Sequence, residues 1–464
     1  MEKDKKIYLF EEMPVSKAVM KLALPTMLSS IVMVLYNLAD TWFVGMLNDP
    51  IQTAAVTLAG PVLLAFNAVN NLFGVGTSSM MGRALGRKEY DTVKRTSAFG
   101  FWASVLSGIL FAVLCTVFKP GLMSMLGAAS DNIEATADYM FWTVTLGAAP
   151  SILNVVMAYL VRTEGSSMHA SIGTMSGCLL NIILDPIFVL PWGFNMGAAG
   201  AGCATFISNC VACAYFFALL FVKRENTFVC LNPKMAKPRK DIVLGVCIVG
   251  IPASIQNLLN VLSMTLLNNF TAAYGSTAVA AMGISHKLYQ IPMQVTMGMA
   301  QGIMPLVSYN YGSRNYRRAR KTVSHTIKIA MIGLVIATVG YYVFADVLVR
   351  LFIENAEIVA YGTKFLRAKC IALPFLCLDF IGVNVYQAFG KGHLSLFFAI
   401  LRKVILEIPL LFILERVYPL YGLAYSQPIG EFILAIAASV VMINMFKRLE
   451  SEPRPGKALT GADE

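Results

Sequence analysis

The chain has 464 residues, of which 57% are hydrophobic and 14% charged, with mean hydropathy +0.66. A soluble domain carries about 25% charged residues, so the soluble class is excluded. The formal net charge of +11 suggests nucleic acid at first sight, but 30 of the 37 Lys and Arg gather at alternate ends of apolar runs. That is the bias of cytoplasmic loops in membrane proteins, and it explains the basic pI without a nucleic-acid partner.

The N-terminal stretch "MEKDKKIYLFEEMPVSKAVMKLALP" is mixed in charge and has no short apolar segment before a small-residue cleavage site. It is read as carrying no cleaved signal peptide, the first span itself directing insertion. Gaps between apolar runs then predict twelve spans, at 15–46, 51–80, 93–118, 134–161, 168–191, 197–222, 242–270, 277–308, 319–345, 359–388, 395–418 and 421–446. Each is long enough to cross about 30 Å of hydrocarbon. The basic loops "GRALGRKEYDTVKR", "SRNYRRARK" and "KRLESEPRPGK" fall on one side, with both termini. The expectation is an all-α, multi-pass protein of a bacterial cytoplasmic membrane with N- and C-termini in the cytoplasm. Of nine cysteines all but Cys230 lie in apolar spans. Cys210-x-x-Cys213 lacks a second pair or a nearby histidine, so these read as small buried hydrophobes and not as metal ligands.

Segment 222–241, "VKRENTFVCLNPKMAKPRKD", is the one long, charged, proline-containing interruption, and the flanking halves resemble each other. "ALGRKEYDTVKRT" (84–96) aligns with "NYGSRNYRRARKT" (310–322), and "LALPTMLSSIVMVL" (22–35) with "VGIPASIQNLLNVL" (249–262). "GAAPSILNVVMAYLVRTEG" (147–165) aligns with "IALPFLCLDFIGVNVYQAFGKG" (371–392), bringing Asn154 near Asp379. The expected organisation is a six-helix lobe at 1–222, a cytoplasmic linker at 223–241, a second six-helix lobe at 242–448 and a cytoplasmic tail at 449–464. Lobes of six spans run in the same orientation, and repeated lobes around a midplane site are a transporter signature.

From Leu22 to Leu47 the only charged side chain is Asp40. An ionised carboxylate at mid-bilayer costs about 2.5–3.5 kcal/mol even on the lenient insertion scale. Tyr36 and Asn37, four and three residues earlier, share its helical face. The bland reading, a shallow acid near the interface, sits poorly with a depth of about 10 Å below the end of the span. The fifth span adds "CLLNIILDPIFVL" (178–190), with Asn181 and Asp185 spaced i, i+4. Pro186 there frees the carbonyl of Ile182. An acid, an amide and a freed carbonyl suit a proton or Na⁺; the alternative is a polar kink that eases packing. Thr205 in "GAAGAGCATFIS" offers a hydroxyl. In the second half the embedded acids are Asp379 and Glu407, with Lys287 in "GISHKLYQIP" as an unusual base that reads as a salt-bridge or substrate contact. No G-x-S-x-G, H-E-x-x-H or Walker A pattern occurs, and nothing recommends an enzyme.

"LALPTMLSSIVMVLYNLADTWFVG", "MGRALGRKEYDTVKR" and "NIILDP" together resemble the multidrug and toxic compound extrusion (MATE) family, in its DinF-like prokaryotic branch. The resemblance implies a V-shaped fold of twelve transmembrane helices in two pseudo-symmetric six-helix lobes. It implies efflux of cationic or polyaromatic small molecules by antiport against H⁺ or Na⁺, with no cofactor and as a monomer. Residue by residue, it places Asp40, Asn181, Asp185 and Thr205 at the cation or proton site, with Na⁺ held by Asp40, Asn181 and Asp185. It also places Tyr36, Tyr139, Asn154 and Asp379 at the substrate cavity and Pro25 as a hinge proline; Asn37, on the face of Asp40, and Lys287 are expected at the same cavity, and Pro186 as a second hinge, from their own positions in the sequence. A flippase for lipid-linked precursors is the alternative within the same superfamily; it would want several cavity cations for phosphates, and Lys287 and Arg402 are the main candidates.

Overall fold

The computed structural model describes residues 2–126 and 132–451, so all but the first three residues of the expected tail (449–464) lie outside the described residues. A short helix α1 (Glu2–Glu11) precedes the first span, α2 (Val15–Gly45). Then follow α3 (Pro50–Gly86), α4 (Tyr90–Val117), the short α5 (Lys119–Leu126) and a bent pair, α6 (Ile133–Leu146) with α7 (Ala148–Thr163). The first half closes with α8 (Ser167–Val189) and α9 (Gly197–Val222). The second half repeats the order: α10 (Lys240–Ala272), α11 (Ser276–Gly312), α12 (Tyr316–Arg350), the bent pair α13 (Ala356–Cys370) with α14 (Leu373–Ala388), α15 (392–417) and α16 (Tyr421–Ser451). Each of the twelve expected spans is thus matched by a helix or a bent pair.

By length and apolarity eight helices among the described residues pass as membrane spans, and ten with the two bent pairs counted. The two that fall short are the informative ones. Helix α15 carries Arg402, Lys403 and Glu407 near its middle, and α11 carries His286, Lys287, Gln290, Gln294 and Gln301. Their polarity reflects chemistry inside the second half and not a loop. Arg402 and Lys403 lie mid-helix and buried, within the span and not in a loop.

Repeat symmetry shows in the packing. The bends, 47° between α6 and α7 and 50° between α13 and α14, fall at corresponding places in the two halves. Across the halves α2 packs along α11, and α10 packs along α3, so first spans meet second spans in both directions. Small residues permit this. A Cβ on Gly302 would lie 2.7 Å from the Cα of Ala23, and one on Gly250 would lie 2.1 Å from the Leu72 carbonyl oxygen. Joints between consecutive spans are short, and several turn on a left-handed residue, such as Asn48, Lys88 and Arg314. Gly275 (φ +97°) and Gly390 (φ +74°) do so without a Cβ penalty.

The halves are joined at the end that holds α1. Ser79 Oγ donates to the Gln387 carbonyl at 2.5 Å, and Ser254 Oγ to the Ala68 carbonyl at 2.6 Å. Helix α1 straps this end. Lys6 pairs with Glu164 of the first half at 2.7 Å, while Phe10 stacks on Tyr309 of the second at 4.7 Å. The Tyr309 hydroxyl donates to Glu11, and Arg318 Nε donates to the Phe10 carbonyl, both at 2.7 Å. The connecting segment is tied to the first half: Thr227 Oγ1 and the Phe228 N–H both donate to Glu164, and Trp102 Nε1 donates to the Leu231 carbonyl. Toward the other end, α2 exposes Leu35 and Trp42 and α10 exposes Leu258 and Leu262.

A side chain at Gly302 meets backbone, which cannot swing aside, and overpacking of this kind costs about 1–3 kcal/mol. Gly302→Val is expected to lower the melting temperature of the purified protein and to raise labelling of single cysteines placed at the α2–α11 contact. Unchanged melting and labelling would show that this contact does not hold the halves together.

Candidate functional site

Four helices of the first half, α2, α6, α8 and α9, converge on one polar cluster. The amide orientation of Asn181 that satisfies its neighbours has Nδ2 donating to Asp185 Oδ2 at 2.9 Å and Oδ1 accepting from Thr205 Oγ1 at 3.2 Å. The i, i+4 spacing on α8 stacks the amide over the acid, and α9 supplies the hydroxyl. Asp40 of α2 stands in the field of Asp185. Tyr36 faces Thr205 and both carboxylates, and Tyr139 of α6 neighbours Tyr36 and the same two acids. Asn154 of α7 joins at one remove: its Nδ2 donates to Asn209 Oδ1 at 3.1 Å, and Asn209 Nδ2 donates to the Thr205 carbonyl at 3.0 Å. The structure therefore gathers Tyr36, Asp40, Tyr139, Asn181, Asp185 and Thr205, with Asn154 linked through Asn209.

Asn37 is exposed, one position round α2 from Tyr36. Pro25 is buried within α2, which runs unbroken from Val15 to Gly45, and Pro186 lies within α8 directly after Asp185.

What distinguishes the cluster is a pair of acids with no ion-pair partner among the described residues. Asp185 and Asn181 are buried, and one oxygen of each acid, Asp40 Oδ1 and Asp185 Oδ1, has no hydrogen-bond partner. Two adjacent carboxylates without a facing cation repel each other, and burial disfavours their charge. Such a pair can take up a proton or a monovalent cation. Among the described residues no group of three or more His, Cys, Asp or Glu is placed to hold a metal ion, so any Na⁺ would lean on the amide and hydroxyl oxygens as well.

The second half holds a different arrangement, only partly anticipated. Asp379 of α14 is not a lone cavity carboxylate: its Oδ2 lies 3.0 Å from Arg402 Nη1, and Arg402 also reaches Glu431 of α16 at 2.6 Å. Lys403 Nζ pairs with Glu407 at 2.6 Å, and Ser263 Oγ donates to the other Glu407 oxygen at 2.5 Å. Lys369 is buried beside Glu407 and Lys403, with Nζ unpartnered. Three acids thus face three bases, and the charges balance. A local widening of the helix over Leu401–Glu407, with π-type hydrogen bonding, turns Arg402, Lys403 and Glu407 all inward. Lys287 is exposed and stands apart from this cluster; His286, one position earlier, faces Lys369, Lys403 and Glu407. Sequence reasoning missed Glu431 and Lys369. Glu431 had a usable signal, being the one acid within the apolar run 421–446, as Asp40 is within its own.

Two repeated six-helix halves, joined at one end and each holding buried charge between its helices, define the architecture of a secondary transporter. A family model, MatE, matches the chain twice, over residues 25–187 and 252–413, so each copy begins on one of the aligned prolines, Pro25 and Pro252. The multidrug export protein MepA of Staphylococcus aureus (strain MRSA252) is 33% identical over 447 residues, covering 96% of this chain and 98% of that protein. A solved structure described as the outward-facing conformation of a multidrug resistance MATE family transporter of the MOP superfamily superimposes with TM-score 0.91 at 27% identity, covering 97% of this chain and 99% of that one. A crystal structure of MATE in the bent conformation superimposes with TM-score 0.88 at 26% identity, over 96% of this chain and 98% of that one. The chain belongs to the MatE family, and it is a multi-span membrane protein.

Removing one partner of a buried ion network leaves an uncompensated charge, at a cost of about 3–5 kcal/mol. Arg402→Met strands both Asp379 and Glu431, whereas Asp379→Asn leaves the Arg402–Glu431 pair intact. Thermal unfolding in detergent is expected to rank Arg402→Met well below Asp379→Asn, with Asp379→Asn near wild type. The reverse order would refute the assignment of Arg402 as the centre of the network.

Proposed function

We propose that the protein is a secondary active multidrug exporter, moving cationic, amphipathic small molecules out of the cell in exchange for H⁺ or Na⁺ by alternating access. It acts as a monomer in the cytoplasmic membrane with both termini in the cytoplasm, the orientation favoured by the basic loops. The observation that carries the reading is the contrast between the halves: Asp40 and Asp185 have no ion-pair partner among the described residues, whereas Asp379 and Glu431 are both paired with Arg402. Relatives named as multidrug export proteins support the substrate class.

In this reading, the coupling ion and the cationic drug compete for the negative potential of Asp40 and Asp185. Ligands that prefer different lobe arrangements exchange by linkage alone. Asn181 holds Asp185 Oδ2, so the free Oδ1 is presented to the incoming ion, while Thr205 fixes the amide. Tyr36, Tyr139 and Asn154 border the substrate, with Asn37 at its exposed edge. Pro25 and Pro186 supply bending points, since each lacks the N–H that would lock its turn. Flipping of lipid-linked precursors draws less support, because Lys287 is exposed and Arg402 is committed to Asp379 and Glu431.

Asp40→Asn and Asp185→Asn keep shape and remove titratable charge. In proteoliposomes loaded with ethidium, each is expected to reduce energised efflux to the passive leak while inserting normally. Running the assay under an imposed pH gradient, then under a Na⁺ gradient alone, identifies the coupling ion. Wild-type export by both variants would overturn the coupling role.

A further inference from the structure

At the end that holds α1, a cavity of about 680 Å³ opens between α12, the first residue of α2 (Val15) and the last turn of α16 (Leu449, Glu450). Its walls carry Arg314, Arg317, Arg320, Lys321, His325 and Lys328. Against five Lys and Arg the lining offers one acid, Glu450, which is already taken by Arg320 at 2.9 Å. Arg314, Arg317, Lys321 and Lys328 are exposed and have no acidic partner among the described residues. The proposed transport reaction has no use for this concentration of positive charge, which lies at the opposite side of the bundle from the open end of α2.

The pattern along α12 is ordered. Arg317, Lys321, Ser324 and Lys328 follow one another at steps of four, three and four, which keeps them on a single helical face. Below Lys328 the same face continues through Ile332, Val335, Ile336 and Val339, exposed by 63%, 45%, 67% and 57%. Within α12 no further charge appears until Asp346. Lys328 therefore marks the boundary between headgroup and hydrocarbon. A phosphate in the cavity would be ringed by cations and a serine hydroxyl, while a chain hanging from it would lie along the apolar stripe.

We propose that this cavity is a binding site for an anionic phospholipid of the adjoining leaflet, its phosphate held by Arg317, Lys321 and Lys328 and its acyl chain laid on Ile332–Val339. The apolar continuation decides for a lipid over a free phosphate or polyphosphate, which would use the basic pocket and leave the stripe empty. Because the walls come from both halves of the chain, an occupant links α2 to α12 and α16 and favours the arrangement in which this end is closed. Arg318, on the neighbouring face of α12, holds α1 through the Phe10 and Met13 carbonyls, so the site adjoins the strap across the two halves. The site itself does not depend on the transport reading; only its assignment to the cytoplasmic leaflet does.

The test uses the full-length protein in phosphatidylcholine nanodiscs doped with phosphatidylglycerol, with retained lipid counted by native mass spectrometry after mild delipidation. Wild type is expected to retain phosphatidylglycerol over phosphatidylcholine. Arg317→Gln/Lys321→Gln/Lys328→Gln is expected to lower that retention about tenfold or more. Arg224→Gln/Lys234→Gln/Lys237→Gln, an equal loss of charge on the segment between the halves, is expected to retain it. Equal loss in both variants, or no preference in wild type, would reduce the effect to general surface potential and overturn the site. Should the triple variant fail to fold, Lys328→Gln alone is expected to show a partial loss and Lys328→Arg none; identical retention by the two overturns the proposal. A rise in melting temperature with phosphatidylglycerol but not with inorganic phosphate supports the lipid, and an equal rise with inorganic phosphate overturns it.

Discussion

The structure is organised by the cost of putting charge where there is no water. A carboxylate or ammonium in hydrocarbon must be paired, solvated in a cleft, or neutralised. The helices of this chain carry enough embedded charge for all three to matter. In the second half the solution is pairing: Arg402 bridges Asp379 and Glu431, and Lys403 closes on Glu407. In the first half Asp40 and Asp185 face each other's field with only an amide and hydroxyls nearby. One fold, repeated, thus carries a neutral lobe and a lobe that can gain or lose charge.

Close packing at one end gives that difference mechanical meaning. Glycines let α2 approach α11, and α3 approach α10, to backbone contact, with Ser79 and Ser254 hydrogen-bonded across. Packed interfaces of this kind tend to be bistable and not gradually deformable. Asp40 sits on α2, the helix whose other half forms this seam. One helix therefore touches both the acidic cluster and the interface, with no long relay between them.

Much of this was legible in the sequence, for physical reasons that differ by residue. The spans were visible because hydrocarbon demands long apolar runs, and the repeat because its two copies keep Pro25 and Pro252 at the same point of their first helices. Asp40 and Asp185 stood out as lone acids in such runs. Asn181 was placed by its i, i+4 spacing, a local rule that survives folding. The Arg402 network was not legible, since its members come from α14, α15 and α16 and their pairing depends on tertiary packing. Asp379 looked like a free carboxylate because its counter-charge lies 23 positions away. Helix α1 was also missed: a mixed-charge decapeptide has little helical amphipathicity, and its order comes from Glu164, Tyr309 and Arg318, each far along the chain.

The balanced lobe also bears on why the unbalanced one can work. If both lobes changed charge with ligand, the free energy of lobe rearrangement would depend on two titrating sites, and drug binding would be diluted over several protonation states. In the second lobe Arg402 pairs with Asp379 and Glu431 and Lys403 with Glu407, so removing Arg402, Lys403 or Glu407 leaves a buried charge uncompensated. Differential affinity is the only quantity by which a ligand shifts a two-state equilibrium, and of the acids in the two clusters Asp40 and Asp185 are the ones without an ion pair among the described residues. The unpaired Lys369 Nζ fits the same logic. Placed beside Lys403 and Glu407, it adds a buried positive group to a cluster whose other bases are already paired with acids.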